Sequence, residues 1–156
     1  MLKRTVIAVF FCFFLSFSAE ASMVSFCIVE TGLAEDVSER RQSVFWENAF
    51  MDVFFDAGYI VSNAPILRIE GKSSGEIIRE LDMLDFRTAG IDFMIIARLD
   101  YNSDLTLSDV SFYVYRINPE KKIHERRLEK MPPRNERDEY AYMKSIAKGL
   151  ITYIAD

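Results

Sequence analysis

Gly90-Ile91-Asp92-Phe93-Met94-Ile95-Ile96-Ala97-Arg98-Leu99-Asp100-Tyr101 holds an unbroken apolar run from Phe93 to Ala97, with glycine ahead of it and the polar turn Asn102-Ser103-Asp104 behind. A run this short, rich in β-branched and aromatic residues, reads as a strand buried on both faces. It is the candidate central strand of a sheet, and the rest of the chain arranges itself around it.

Ahead of it, Met23 to Val29 is a second compact apolar stretch, expected as the first strand. Asp36 and Glu39 then offer a capping-box-like helix start. Trp46, Phe50, Val53, Phe54 and Ala57 fall at helical spacing, with Val44, Met51 and Phe55 widening the stripe and Glu47, Asn48, Asp52 and Asp56 on the remaining face. Gly58 is placed to stop this helix in a left-handed C-terminal turn. Tyr59 to Asn63 predicts a short strand at an edge, because Pro65 follows, and Ile66 to Glu70 a further turn or short strand. Ser73-x-x-Glu76 opens a second helix bearing Ile77, Ile78, Leu81 and Leu84 on one face, and Gly90 ends it.

Beyond Tyr101, Val110, Phe112 and Val114 alternate with Ser111, Tyr113 and Tyr115 in the segment Leu105 to Arg116, the period of a half-buried strand. Asn118-Pro119-Glu120-Lys121 is a turn, and the return strand Lys122 to Glu129 carries charge on both faces, as an edge strand does. After Met131-Pro132-Pro133, Asp138 begins a closing helix striped by Tyr142, Met143, Ile146, Ala147, Leu150, Ile151 and Ile154. The fold class is therefore α/β, a mixed sheet of the α+β kind. It is one compact domain of about five strands and three helices, ordered β-α-β-α-β-β-β-α.

The chain opens on Met-Leu-Lys-Arg, runs apolar for thirteen residues from Thr5 to Phe17, and reaches Ser-Ala-Glu-Ala-Ser. A cationic start, a short apolar core and an Ala-x-Ala site describe a secretory signal peptide, so residues 1–21 are expected to be cleaved after Ala21 and 22–156 to form a periplasmic or secreted domain. The alternative, an uncleaved anchor, has less apolar length than the roughly 20 residues of a spanning helix. Without residues 1–21 the chain carries 17 basic and 23 acidic residues, a net −6, which argues against nucleic acid as a partner. Cys27 is then the sole thiol, in an apolar run where a buried structural role is expected. Phe26 and Phe11 precede the two cysteines, so neither is an acylation site.

His124 is the single histidine, and no histidine pair, CxxC or HExxH motif offers a metal site. Asp52 with Asp56, and Asp82 with Asp85, share helix faces, but no glycine-containing calcium loop accompanies them. Gly71-Lys72-Ser73-Ser74-Gly75 has a phosphate-turn flavour, yet Ile66 stands where the full P-loop pattern needs glycine. No cofactor and no enzymatic activity are expected. From Arg116 to Arg137, however, eight Lys or Arg face four Glu, a +4 island on an acidic protein. Tyr113, Tyr115, Arg116, Lys121, Lys122, His124, Arg126 and Arg127 are the candidate partner-binding residues there, since aromatic and arginine side chains together favour interfaces.

Arg87-Thr88-Ala89-Gly90-Ile91-Asp92-Phe93, followed by the apolar strand to Leu99, resembles the signature of bacterial envelope domains related to the TolB amino-terminal domain, CsgG and LpoB. Ala97 stands where that family often carries glycine. The resemblance implies a non-enzymatic domain that docks onto a protein of a cell-envelope assembly. The second reading is a small periplasmic ligand-binding protein or hydrolase with a pocket beside the first helix, using His124 or the paired aspartates.

Overall fold

In the computed structural model, residues 21–32, 41–68, 76, 81, 83–104, 106–132 and 135–155 are described. The elements are β1 (Met23–Thr31), α1 (Arg41–Asp56), β2 (Ile60–Asn63), β3 (Leu67–Arg68), α2 (Met83–Thr88), β4 (Phe93–Tyr101), β5 (Leu107–Arg116), β6 (Lys121–Arg127) and α3 (Glu136–Ile151). The sheet has six strands rather than about five, because the segment after Pro65 closes as β3 beside β1. The expected caps at Asp36–Glu39 and Ser73, and the turn Gly71–Gly75, lie outside the described residues.

Strand order is β2-β1-β4-β5-β6, so β4 is central as expected. β1 runs parallel to β2, β3 and β4, whereas β5 and β6 are antiparallel to their neighbours. The crossover from β1 to β2 and the return across β1 to β4 run in opposite directions. Right-handed connections then place their helices on opposite sides of the sheet, and the two cores follow that division. On one side, Val24, Phe26 and Ile28 of β1, Ile95, Ala97 and Leu99 of β4, and Phe112 of β5 meet Trp46, Phe50 and Phe54 of α1 and Met143, Ile146 and Leu150 of α3. On the other, Cys27, Val29, Met94, Ile96, Tyr113 and Tyr115 meet Leu81, Ile91 and Phe86.

That second core corrects the half-buried reading of β5. Tyr113 and Tyr115, expected to face solvent, are 8% and 7% exposed because the α2 segment covers them. Phe55 is corrected the other way: it is 69% exposed, turned a helical step past Phe54, and Ala57, just past the helix end, is exposed too, while Met51 does pack on the core. α3 begins earlier than Asp138, because Asn135 is the cap: its Oδ1 accepts from the Asp138 N–H at 3.0 Å and its Nδ2 donates to Asp138 Oδ2 at 2.6 Å. Gly58 and Gly90 end α1 and α2 at φ of 90° and 77°, and the following N–H groups of Tyr59 and Ile91 reach back to the Phe54 and Phe86 carbonyls at 3.1 and 3.0 Å. Among the described residues no helix is long and apolar enough to cross a membrane.

Candidate functional site

β6 is the last strand of the sheet, and Tyr113, Val114 and Tyr115 of β5 lie opposite its Glu125, His124 and Lys122. Side chains directly opposite share a face. The register therefore divides the candidate residues. Lys122 and Arg127 side with Tyr113 and Tyr115 on the α2 face, whereas His124 and Arg126 point to the face covered by α1 and α3. Arg116 and Lys121 pair with each other, and the Arg116 guanidinium sits 5.8 Å from the Phe93 ring centre on that second face. The basic island is thus two sets of cations flanking one edge strand, not one patch.

Several members are held by their own neighbours. Lys122 pairs with Glu125, and its ammonium lies 5.7 Å from the Tyr113 ring centre. Arg127 donates from Nε to Asp109 Oδ1 at 2.6 Å, an ion pair that raises its pKa further. Arg126 passes over Gly149 of α3, its Nη1 3.4 Å from where a Cβ would stand. His124 stacks on Tyr153, its Nε2 is buried without a hydrogen-bond partner among the described residues, and burial, aided by Arg126, lowers its pKa. Burial first, then Glu125, pushes the Tyr115 hydroxyl up to about 12.

Of the paired aspartates weighed for the alternative chemistry, Asp82 lies outside the described residues and Asp52 has structural partners. Asp52 ties α1 to α3, accepting from Tyr140 OH at 2.8 Å and Lys144 Nζ at 2.9 Å, and those two donors hold its carboxyl below the usual range. Cys27 is fully buried, with its thiol pushed up to about 12 by burial and then by Glu47.

A polar cluster at the carboxyl ends of β1 and β4 has no counterpart in the sequence reading. Glu30, 1% exposed, accepts from Ser43 Oγ through one oxygen and from Arg68 Nε at 3.1 Å through the other. Ser43 is itself fully buried and lies 3.2 Å from the Tyr101 hydroxyl. On the opposite face Thr31 donates to Asp100, which Arg98 Nε also reaches at 2.9 Å, and Asp100 stands directly across from Asp109. Gly32 follows because nothing larger fits: a Cβ there would come within 2.2 Å of the Tyr101 carbonyl oxygen. Ser43 meets Glu30 of β1 and Tyr101 of β4, whereas His124 lies on the outermost strand β6 level with Val114 and Ile95, so the one imidazole does not meet this hydroxyl. The only sequence signal was Glu30-Thr31 and Asp100-Tyr101 closing two apolar strands that parallel register brings level.

A family model described as an uncharacterised protein matches residues 23–114, more than half of the chain. The chain belongs to that family. The matched region covers β1 through Val114, hence the central strands and the polar cluster but not β6 or α3. No curated protein matches in sequence. Among solved structures the fold is similar to TolB from Acinetobacter baumannii, with a TM-score of 0.52, 11% identity, and coverage of 86% of this chain and 28% of that one. A PelC dodecamer from Paraburkholderia phytofirmans scores 0.47 at 11% identity, covering 85% and 87% of the two chains. Lipoprotein GNA1162 from Neisseria meningitidis scores 0.46 at 12% identity, covering 87% and 97%. This chain thus spans under a third of the TolB chain, and the likeness is one of fold.

Proposed function

We propose that this protein is an exported, non-enzymatic accessory domain of a bacterial cell envelope that binds a protein partner along the free edge of β6. The observation that carries the reading is β6 itself, a seven-residue terminal strand with cations on both of its faces. An extended segment can add to such an edge through backbone hydrogen bonds, and Arg126 on one face and Arg127 on the other would then meet its acidic side chains. The TolB-like fold and the signal-peptide pattern of residues 1–21 support placement in the periplasm or outside the cell. Kinship to CsgG and LpoB belongs to the same proposal.

The test is in-cell crosslinking and capture through a carboxy-terminal tag, comparing the natural protein with Arg126→Glu/Arg127→Glu. One envelope protein recovered with the natural sequence and lost with the double variant supports the site. Equal recovery by a folded double variant overturns it. The intact mass of the cellular protein reports whether cleavage follows Ala21.

A further inference from the structure

The register of β6 fixes which of its backbone groups face the open edge. The Leu128 N–H bonds to the Val110 carbonyl at 2.9 Å, and the Ile117 N–H to the Asp92 carbonyl at 2.8 Å. In antiparallel pairs such residues alternate with others whose N–H and C=O turn to the far side. On β5, Val110, Phe112 and Val114 therefore bond to β6 and the residues between them to β4; on β6, Leu128, Arg126 and His124 bond inward. Glu125 and Arg127 turn their N–H and C=O outward. The register slips between His124 and Lys122, where Ile123 has no counterpart on β5, so the straight part of the edge begins at His124.

The side chains divide by face. Glu125 and Arg127, on the α2 face, are already matched by Lys122 and Asp109. Arg126, on the face of α1 and α3, is exposed and has no ion pair among the described residues. It passes over Gly149, and from Lys144 to Ala155 the end of α3 carries no acidic residue. Two residues back on that same face, His124 stacks on Tyr153, which is 44% exposed. One face of the open edge thus presents an unmatched guanidinium and, next to it, an apolar ring surface.

We infer that the strand β6 accepts carries an acidic side chain opposite Arg126 and an apolar one opposite His124, two residues apart, with uncharged residues on its other face. This rests on the reading of β6 as the partner edge and narrows it: Arg126, not Arg127, selects the segment. Arg126 stands where an added strand forms a non-hydrogen-bonded pair, the closer kind at about 4.5 Å between Cα atoms, so a carboxylate there reaches the guanidinium directly. A second copy of this chain does not fit. Two-fold antiparallel pairing centred on Glu125, Arg126 or Arg127 sets a charge against its own copy, which destabilises a pair, and the chain bends at Glu129.

The test uses the isotope-labelled protein as purified from cells and two synthetic peptides, Ser-Leu-Thr-Glu-Thr-Leu-Ser and its counterpart with Lys in place of Glu. Leucines on both sides allow either strand direction. The glutamate peptide should slow hydrogen exchange of the Glu125 and Arg127 amides, leave the inward-bonded Arg126 amide unchanged, and bind about tenfold more tightly than the lysine peptide. Arg126→Gln should abolish that preference and Arg126→Glu reverse it, while Arg127→Gln keeps it. Equal protection by both peptides overturns the selectivity and leaves the edge reading in place. Protection by neither overturns the inference, and in-cell crosslinking to the natural partner then decides the edge reading by itself. Concentration-dependent protection of Glu125 and Arg127 without peptide would make a second copy the occupant and overturns the inference as well.

Discussion

His124 and Tyr153 lie face to face, their ring centroids 3.5 Å apart and planes 12° from parallel, and this pair fastens the end of α3 to the outermost strand. His124 is half-buried with its Nε2 out of water, and with Arg126 beside it the charged form is disfavoured in the folded state. The unfolded chain, with an ordinary histidine pKa near 6.5, therefore binds the proton first as pH falls. Stability from this pair is complete above about pH 6.5 and declines as pH drops from there through the lower folded value. Because the chain has a single histidine, its imidazole resonance titrates without overlap. Tyr153→Ala should move that midpoint up toward the ordinary value and flatten the acid loss of stability; an unmoved midpoint would assign the shift elsewhere.

The Glu30–Ser43 hydrogen bond predicts an asymmetric pair of variants. Ser43→Ala strips a fully buried carboxylate of one donor and should cost about 1–3 kcal/mol. Arg68→Ala should cost less, about 1 kcal/mol or below, since that side chain is 41% exposed and water can replace it. Urea denaturation with unchanged m-values measures both. A larger loss for Arg68→Ala would show that the ion pair, not the serine, holds Glu30.

Gly32 and Gly58 both have positive φ but differ in surroundings. At Gly58 an added Cβ meets nothing within 4 Å, so Gly58→Ala should cost only the backbone strain, about 1–2 kcal/mol. Gly32→Ala adds a collision with the Tyr101 backbone and should destabilise clearly more, about 3 kcal/mol or above, with β1 and β4 forced apart. Thermal unfolding of the two variants side by side decides it.

Gly149 carries the opposite expectation. It stands inside α3 with ordinary helical backbone, and an added methyl would touch only the tip of Arg126 at 3.4 Å. Gly149→Ala should stabilise by about 0.5–1 kcal/mol, read as a rise in melting temperature. A loss would mean that the Arg126 side chain cannot yield.

Much of the fold was legible because its signals are local. The run Phe93 to Ala97 announced a doubly buried strand, the spacing of Trp46, Phe50 and Phe54 announced a core-facing helix, and the charges from Lys121 to Arg127 announced an edge. These readings need only the periods of 3.6 and 2 that the backbone imposes on neighbouring residues. What the sequence could not disclose depends on segments remote in the chain. Tyr113 and Tyr115 are buried because Leu81, Ile91 and Phe86 cover them, and the basic island is divided because the β5–β6 register assigns alternate cations to opposite faces. The same holds for Glu30 and Ser43, thirteen residues apart and joined only when the α1 crossover folds back over β1. Periodicity sets which residues share a face of one element; packing between elements decides which faces keep water.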